Sequence, residues 1–146
     1  MFVMPETARI KEDFRMGSPK ARILIADPDA DINESLRLYF EAYGHEVQTV
    51  SRAGDISRMA RSWQPHAILI SDEFRDKDPY RVCQELLDDT LTGHIPLIML
   101  LHLNERPARL GALEAGVSDI IVKPFDIEEL RLRVEAAIRL STLQTG

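Results

Sequence analysis

Short apolar runs alternate with amphipathic segments five times along this chain, and this alternation restricts the fold more than any other feature of the sequence. Runs of four to six apolar residues are typical of strands, whereas apolar residues spaced three and four apart are typical of helices. The second run instead alternates polar and apolar residues, as a strand near a sheet edge would. The predicted strands are Ile23–Ala26, Glu46–Val50, Ala67–Ile70, Pro96–Leu101 and the run that ends at Val122.

A segment with helical spacing follows each predicted strand. In the first, Ile32, Leu36 and Phe40 share one face, and Gly44 stands where a helix ends. The last is expected to begin near Asp126. Strands that alternate with helices form a parallel sheet covered on both faces. With right-handed connections, the expected fold is an α/β, flavodoxin-like (βα)5 three-layer sandwich with its five-stranded parallel sheet in the order 2-1-3-4-5.

The length of 146 residues is that of one ordinary domain. All predicted strands and helices fall within residues 21–140, so we expect residues 1–20 to be an N-terminal tail and residues 141–146 a C-terminal tail. No apolar run approaches the roughly 20 residues that span a bilayer, and the first residues are too short an apolar stretch for a signal peptide. We therefore expect a cytoplasmic protein without an output domain.

Composition narrows the classes of partner and of metal site. The net charge of −6 argues against a nucleic-acid surface, which would normally carry a basic face. The single cysteine, Cys83, excludes an internal disulfide and any site built from several cysteines. The four histidines show no metal-ligand spacing on one element. Nucleic acids and membranes are therefore not expected as partners.

Polar side chains stand at the ends of three predicted strands. Lys123 ends the fifth strand because the proline that follows it cannot donate to the ladder. Asp27 follows the first strand, and Ser71 follows the third. The carboxyl ends of parallel strands meet at one edge of the sheet, where ligands of such folds bind. The sequence therefore predicts that these three side chains lie close together.

Five segments resemble the receiver domain of two-component response regulators, and the resemblance extends over residues 21–140. The two most specific segments are Leu113–Gly116 and Val122–Phe125, at their mutual spacing. The others are Ile23–Asp27, Pro65–Ile70 and Asp78–Tyr80. The resemblance implies a stand-alone protein of two-component and phosphorelay signal transduction.

Most reactive positions of that family carry a different residue here. The two acidic residues with which the family holds magnesium correspond to Asp27 and Pro28, and the phosphoacceptor aspartate corresponds to Ser71. Lys123 matches the lysine of the family. An aspartyl phosphate requires a carboxylate nucleophile, and the transferring group needs a metal and cations to hold its charge. Ser71 provides only a hydroxyl, which is a weak nucleophile without an adjacent base.

The two switch positions of the family have also changed. The threonine or serine after the fourth strand corresponds to Leu101, and the aromatic residue on the fifth strand corresponds to Ile120. Leu101 cannot hydrogen-bond a phosphoryl oxygen. We therefore expect a degenerate pseudo-receiver, which is a phosphorylation-independent protein-interaction module with no catalytic residue, no cofactor and no metal.

Alternatives remain open at the strand ends. Asp27 and Lys123 form either a relic phosphate site or a plain ion pair that ties the first strand to the fifth. In a working phosphorelay receiver, Asp72 or Asp29 would accept the phosphoryl group, and magnesium would bind through Asp27. A one-residue slip turns a strand side chain to the opposite face, so Asp72 would need a bulge or a loop to redirect it.

A second resemblance is to haloacid dehalogenase-type phosphatases. In that superfamily Asp27 would correspond to the nucleophile and Asp29 to the acid/base, while Ser71 and Lys123 would hold phosphate. The superfamily also needs an acidic magnesium ligand on a strand after the lysine. Only one helix is predicted after Phe125, so the motif lacks its context.

The receiver resemblance implies a working surface formed by the fourth helix, the fifth strand and the fifth helix, which the family uses for dimerisation and partner contact. A homodimer through this surface is one expected assembly. Alternatively, each arginine of this surface is only a solvated charge without a partner protein. The candidate residues are Arg106, Arg109, Ile120, Arg131 and Arg139.

Overall fold

The computed structural model describes residues 20–145, with side-chain surroundings up to Thr142. Five strands and five α-helices alternate along these residues. The strands are β1 (Arg22–Ala26), β2 (Glu46–Val50), β3 (Ala67–Ser71), β4 (Leu97–Leu101) and β5 (Asp119–Val122). The helices are α1 (Ala30–Ala42), α2 (Ile56–Trp63), α3 (Pro79–Asp88), α4 (Arg106–Glu114) and α5 (Ile127–Thr145). A short 3-10 helix, Ala53–Asp55, leads into α2.

The five strands form one parallel sheet in the order β2-β1-β3-β4-β5, which confirms the predicted strand order. β1 lies between β2 and β3, and Ile23 of β1 is opposite Ala67 of β3. β2 is an edge strand, as its alternation of polar and apolar residues predicted. The strand order changes direction between β1 and β3, which is where folds of this class form a crevice at the carboxyl edge of the sheet.

Buried apolar side chains form one layer on each face of the sheet. α1 and α5 cover one face, where Ile25, Phe40 and Leu130 belong to the same buried cluster. α2, α3 and α4 cover the other face, where Ile56 and Cys83 belong to a larger cluster. Cys83 is fully buried in this cluster. The central strands are therefore covered on both sides, as their continuous apolar runs require.

Local signals in the sequence fix where three of the helices begin or end. Asp29 accepts a hydrogen bond from the backbone N–H of Asp31 at 2.9 Å, which caps α1. Asp78 accepts one from the N–H of Tyr80 at 3.0 Å, which caps α3. Gly116 follows α4 with a φ of 91°, a left-handed conformation that suits a glycine after a helix.

A buried polar cluster joins α5 to α1 and to the start of β2. Glu135 lies between an imidazole and a guanidinium, 3.2 Å from His45 Nε2 and 3.1 Å from a guanidinium nitrogen of Arg131. Arg131 also donates to the Tyr39 hydroxyl, and its guanidinium carbon lies 3.9 Å from the centre of the Tyr43 ring. Because Arg131 is only 4% exposed, its assignment to an exposed interaction surface is wrong. Its charge balances Glu135 in the interior instead.

The ends of the described segment differ from the predicted domain boundaries. α5 continues to Thr145, past the boundary placed at residue 140. Of the predicted N-terminal tail, only Lys20 lies within the described residues, and its ammonium is 3.9 Å from the Glu46 carboxylate. Residues 20–145 contain no helix with both the length and the apolar character needed to cross a membrane.

Candidate functional site

Three side chains from separate strand ends meet at the carboxyl edge of the sheet. Lys123 Nζ, just after β5, lies 2.8 Å from Asp27 Oδ2, just after β1. It lies 3.5 Å from Ser71 Oγ, at the end of β3. The three residues are far apart in sequence, and the parallel sheet brings them together because all its strands end at the same edge. The predicted ion pair between Asp27 and Lys123 is therefore present.

Glu73 is a fourth member of the site. Its Oε1 lies 2.9 Å from Lys123 Nζ, and its backbone N–H donates to Ser71 Oγ at 3.1 Å. Sequence reasoning missed Glu73 because it falls in the polar loop after β3. β3 ends at Ser71 and a turn follows, so strand periodicity gave no signal for the direction of the Glu73 side chain. Lys123 is thus shared by two carboxylates.

The two carboxylates determine the charge state of Lys123. Burial on its own would lower the pKa of the ammonium, because a charged group loses solvation. Hydrogen bonds and Coulomb attraction from Asp27 and Glu73 outweigh this effect, and the pKa of Lys123 is raised above its usual range. The lysine is therefore a fixed cation, and its charge is already opposed by two anions.

Asp27 has both carboxylate oxygens engaged. Oδ2 binds Lys123, while Oδ1 accepts the backbone N–H of Asp29 at 2.8 Å. The residue is almost fully buried. The side chain of Pro28 has no atom that could bind a metal ion. Residues 20–145 contain no group of three or more His, Cys, Asp or Glu side chains arranged to hold a metal ion. Lys123 already bridges Asp27 and Glu73, the two carboxylates that it contacts at this edge.

The remaining predicted pocket positions are apolar or inaccessible. Ser71 and Leu101 are both fully buried. Leu101 belongs to the larger core cluster, and Ile120 is half-buried and packs against the same cluster. The structure therefore places these side chains around the site but gives Lys123 no further polar partner from the switch positions.

Asp72 points to a different partner from Ser71. Its carboxylate lies 2.9 Å from His102 Nδ1, and it also accepts the backbone N–H of His102 at 3.1 Å. The Asp72 side chain is 3% exposed, whereas the His102 ring is 47% exposed. Burial and the nearby Asp72 charge both raise the pKa of Tyr80, which places its phenol near this pair. The Asp72 carboxylate thus fastens β3 to the start of the β4–α4 loop.

Asp29, the other alternative phosphoacceptor, also has a hydrogen-bond partner within the protein. Its Oδ1 caps α1, as described above. It lines an open cleft beside the site together with Pro28, Arg52, Glu73 and Arg75. Asp27, Asp29 and Asp72 therefore each have at least one side-chain oxygen bound to another part of the protein, and the partner differs among the three.

Comparison with known proteins places the chain in a family. The family model of the response regulator receiver domain matches residues 23–135, which is most of the chain. The chain belongs to the response regulator receiver family. It is 33% identical over 118 residues to the DNA-binding dual master transcriptional regulator RpaA of Synechocystis sp., covering 81% of this chain and 49% of RpaA. It is 35% identical over 122 residues to the response regulator PleD of Caulobacter vibrioides, covering 82% and 26% of the two chains.

Solved receiver structures have the same fold. A two-component response regulator from Clostridium difficile is 25% identical with a TM-score of 0.76, and the match covers 82% of this chain and 97% of that one. A CheY-like receiver domain protein from Methanospirillum hungatei is 21% identical with a TM-score of 0.79, covering 86% and 98%. The chain spans about half the length, or less, of the curated relatives named above.

The structure places the predicted site residues of this receiver-family chain in different surroundings. Asp27, Ser71 and Lys123 meet, while Pro28 borders the cleft. Leu101 lies in the core. The family match is to receiver domains, so it adds no support to the resemblance to haloacid dehalogenase-type phosphatases. That resemblance also lacks the acidic magnesium ligand that the superfamily has on a strand after the lysine.

Proposed function

We propose that this receiver-family protein transmits its signal through protein contacts that do not depend on phosphorylation, without catalysis, a cofactor or a bound metal. The observation that carries the proposal is the Lys123 ammonium held between Asp27 and Glu73 beside a serine. The two contacts of 2.8 and 2.9 Å neutralise the lysine that corresponds to the phosphate-holding lysine of the family.

The nucleophile position supports the same conclusion. Ser71 is fully buried, and its Oγ already accepts the N–H of Glu73. A phosphoryl group entering next to Ser71 would have to displace the Glu73 carboxylate from Lys123. Two negatively charged groups close together repel each other strongly in a partly buried site, so this exchange is unfavourable.

The metal requirement points the same way. Magnesium is usually held by one or two carboxylates with substrate phosphates and water. Here Asp27 is bound to Lys123 and to the backbone of Asp29, and Pro28 takes the place of a second acid. A divalent cation next to the Lys123 ammonium would meet like charge, so the site favours the lysine over the metal.

We assign the protein contacts to the surface formed by α4, β5 and α5. Arg106, Arg109 and Arg139 are exposed there, and Ile120 is half-buried on β5. In our proposal, one such protein contact is a homodimer formed through this surface. The net charge of −6 gives no general attraction for nucleic acid. RpaA is named as DNA-binding, but it is about twice as long as the segment that matches.

The proposal is tested by intact mass spectrometry of the full chain after incubation with acetyl phosphate and magnesium. We expect no phosphoryl adduct on the wild-type protein or on an Asp72→Ala variant. A Ser71→Asp variant in the same assay shows the effect of a carboxylate at the position where the family has its phosphoacceptor aspartate. A wild-type adduct that disappears in Asp72→Ala would overturn the proposal and identify a working phosphorelay receiver that uses Asp72.

A further inference from the structure

We infer that a groove at the amino edge of the sheet binds the N-terminal segment of the same chain, residues 1–19. This amino-edge groove consists of two adjoining cavities of about 470 and 180 Å³, which share His94, Ile95, Pro96 and Ser141. It lies at the opposite end of the strands from the site described above, and its described lining includes no residue of α4. The inference therefore goes beyond the proposed function and does not depend on it.

One face of α5 forms a wall of the groove. Ala136, Ala137, Leu140 and Ser141 line the larger cavity at helical spacings of three and four, so they lie on one side of the helix. The alanine side chains are short and leave room beside the helix, while Leu140 is 60% exposed. Ile95 lines the cavity from the α3–β4 loop. The larger cavity is thus open and mostly apolar, which is the composition of a site that accepts apolar side chains.

The chain before β1 is close enough to the groove to reach all of it. Arg22, the first residue of β1, lines the smaller cavity, and β5 begins at the far end of the larger one. Three strand-to-strand steps separate β1 from β5, which add up to about 14 Å. Phe14 stands six positions before Lys20, and six extended residues span about 20 Å. The segment is therefore long enough to place Phe14 in the larger cavity.

The side chains of the segment match the groove in polarity and in charge. Ile10 and Phe14 stand four apart, which is the spacing of neighbouring apolar anchors in a helix that lies in a groove. Asp13, next to Phe14, carries a negative charge. Within the described residues, the Arg22 guanidinium donates to the Gln64 carbonyl at 2.7 and 3.0 Å and has no carboxylate partner. The cation that lines the smaller cavity is thus available to a carboxylate of the segment.

Covalent attachment favours this occupant over a separate molecule. A ligand joined to its site by a short tether has an effective concentration on the order of millimolar. A second copy of the chain or another protein binds only from its own, lower concentration. The segment of the same chain is therefore expected to fill the amino-edge groove before any separate partner does.

The first test compares NMR spectra of the isotope-labelled full chain with those of a Phe14→Ser variant. We expect amide shift differences at Ile95, Ser118 and Leu140, which line the larger cavity. Phe2→Ser makes the same chemical change elsewhere in the segment and should leave these amides unchanged. Shift differences confined to the sequence neighbours of Phe14 would refute the inference.

The second test is limited trypsin digestion of the full chain, in which cleavage after Arg15 is followed by intact mass spectrometry. A segment bound in the groove is cut only while it is released, so Ile10→Ser and Leu140→Ser should each raise the cleavage rate about tenfold. Leu132→Ser is the matched control, because Leu132 is an α5 leucine that is 52% exposed and lies outside the groove lining. Equal cleavage rates of wild type and Leu140→Ser would contradict the inference.

Sedimentation velocity distinguishes the segment from a second copy as the occupant. We expect wild type and Leu140→Ser to sediment as the same species at every protein concentration. A wild-type dimer that Leu140→Ser dissociates would assign the groove to a second copy and overturn the inference. The three measurements use neither acetyl phosphate nor magnesium, so their failure is distinguishable from a failure of the proposed function.

Discussion

The Glu73 carboxylate lies 2.9 Å from the Lys123 ammonium, so this lysine has a second anionic partner in addition to Asp27. Glu73 comes from the loop after β3, and Lys123 from the end of β5. The lysine that the family resemblance associates with phosphate is therefore already charge-balanced by the protein. Within the described residues, the protein itself therefore supplies the counter-charges of this lysine.

Replacing Lys123 should destabilise the fold, because Asp27 would be left buried without a counter-charge. We expect Lys123→Met to lower the free energy of unfolding by about 3 kcal/mol, measured by urea denaturation. The exposed pair of Lys77 and Glu85 provides a control, and Lys77→Met should cost less than about 1 kcal/mol. Equal effects of the two substitutions would contradict the structural role given to Lys123.

The raised pKa of Lys123 predicts a loss of stability at alkaline pH. Folding favours the protonated lysine, because its pKa is higher in the fold than in the unfolded chain. Its contribution is complete below the ordinary lysine pKa of about 10.4 and is lost as pH rises through the folded pKa. The difference in unfolding free energy between wild type and Lys123→Met should therefore shrink as pH rises above that range. If this difference in unfolding free energy did not change with pH, the raised pKa of Lys123 would be refuted.

The buried carboxylate of Glu135 should be more important for stability than an exposed one on the same helix. Glu135→Gln removes the anion between His45 and Arg131 and leaves the Arg131 charge buried without its partner. We expect a loss of about 3 kcal/mol in thermal or urea unfolding. Glu129→Gln, which alters an exposed pair with Arg133, should change stability by less than about 1 kcal/mol. The reverse order of the two effects would show that the cluster is not a stabilising unit.

Restoring acids at the sheet edge should create cation affinity that the wild type lacks. Combining Pro28→Asp and Ser71→Asp with Glu73→Gln adds two carboxylates next to Asp27 and removes one partner of Lys123. We expect magnesium binding by isothermal titration calorimetry in this triple variant and none in the wild type. Pro28→Asp alone is the matched control and should bind more weakly. Equal binding by wild type and triple variant would contradict our account of the metal site.

The strand and helix pattern could be predicted from the sequence because it depends on local periodicity. The β1 and β3 runs are apolar throughout, which identified them as central strands, and the alternating residues of β2 identified an edge strand. The changes at Pro28, Ser71 and Leu101 were also readable, because the chemical groups available at those positions are fixed by residue identity. A proline, for example, offers no carboxylate in any fold.

Tertiary structure alone decided which side chains became partners. Glu73 reaches Lys123 across 50 positions, and Asp72 reaches His102 across 30. Arg131 is directed into the interior by Glu135 and Tyr39, although its sequence surroundings resemble those of an exposed helix face. Such pairings depend on the relative placement of distant elements and on side-chain direction. Sequence periodicity therefore determined the sheet, and residue identity determined the chemical groups at the reactive positions of the family. Packing between distant elements determined which charges are neutralised and which remain exposed.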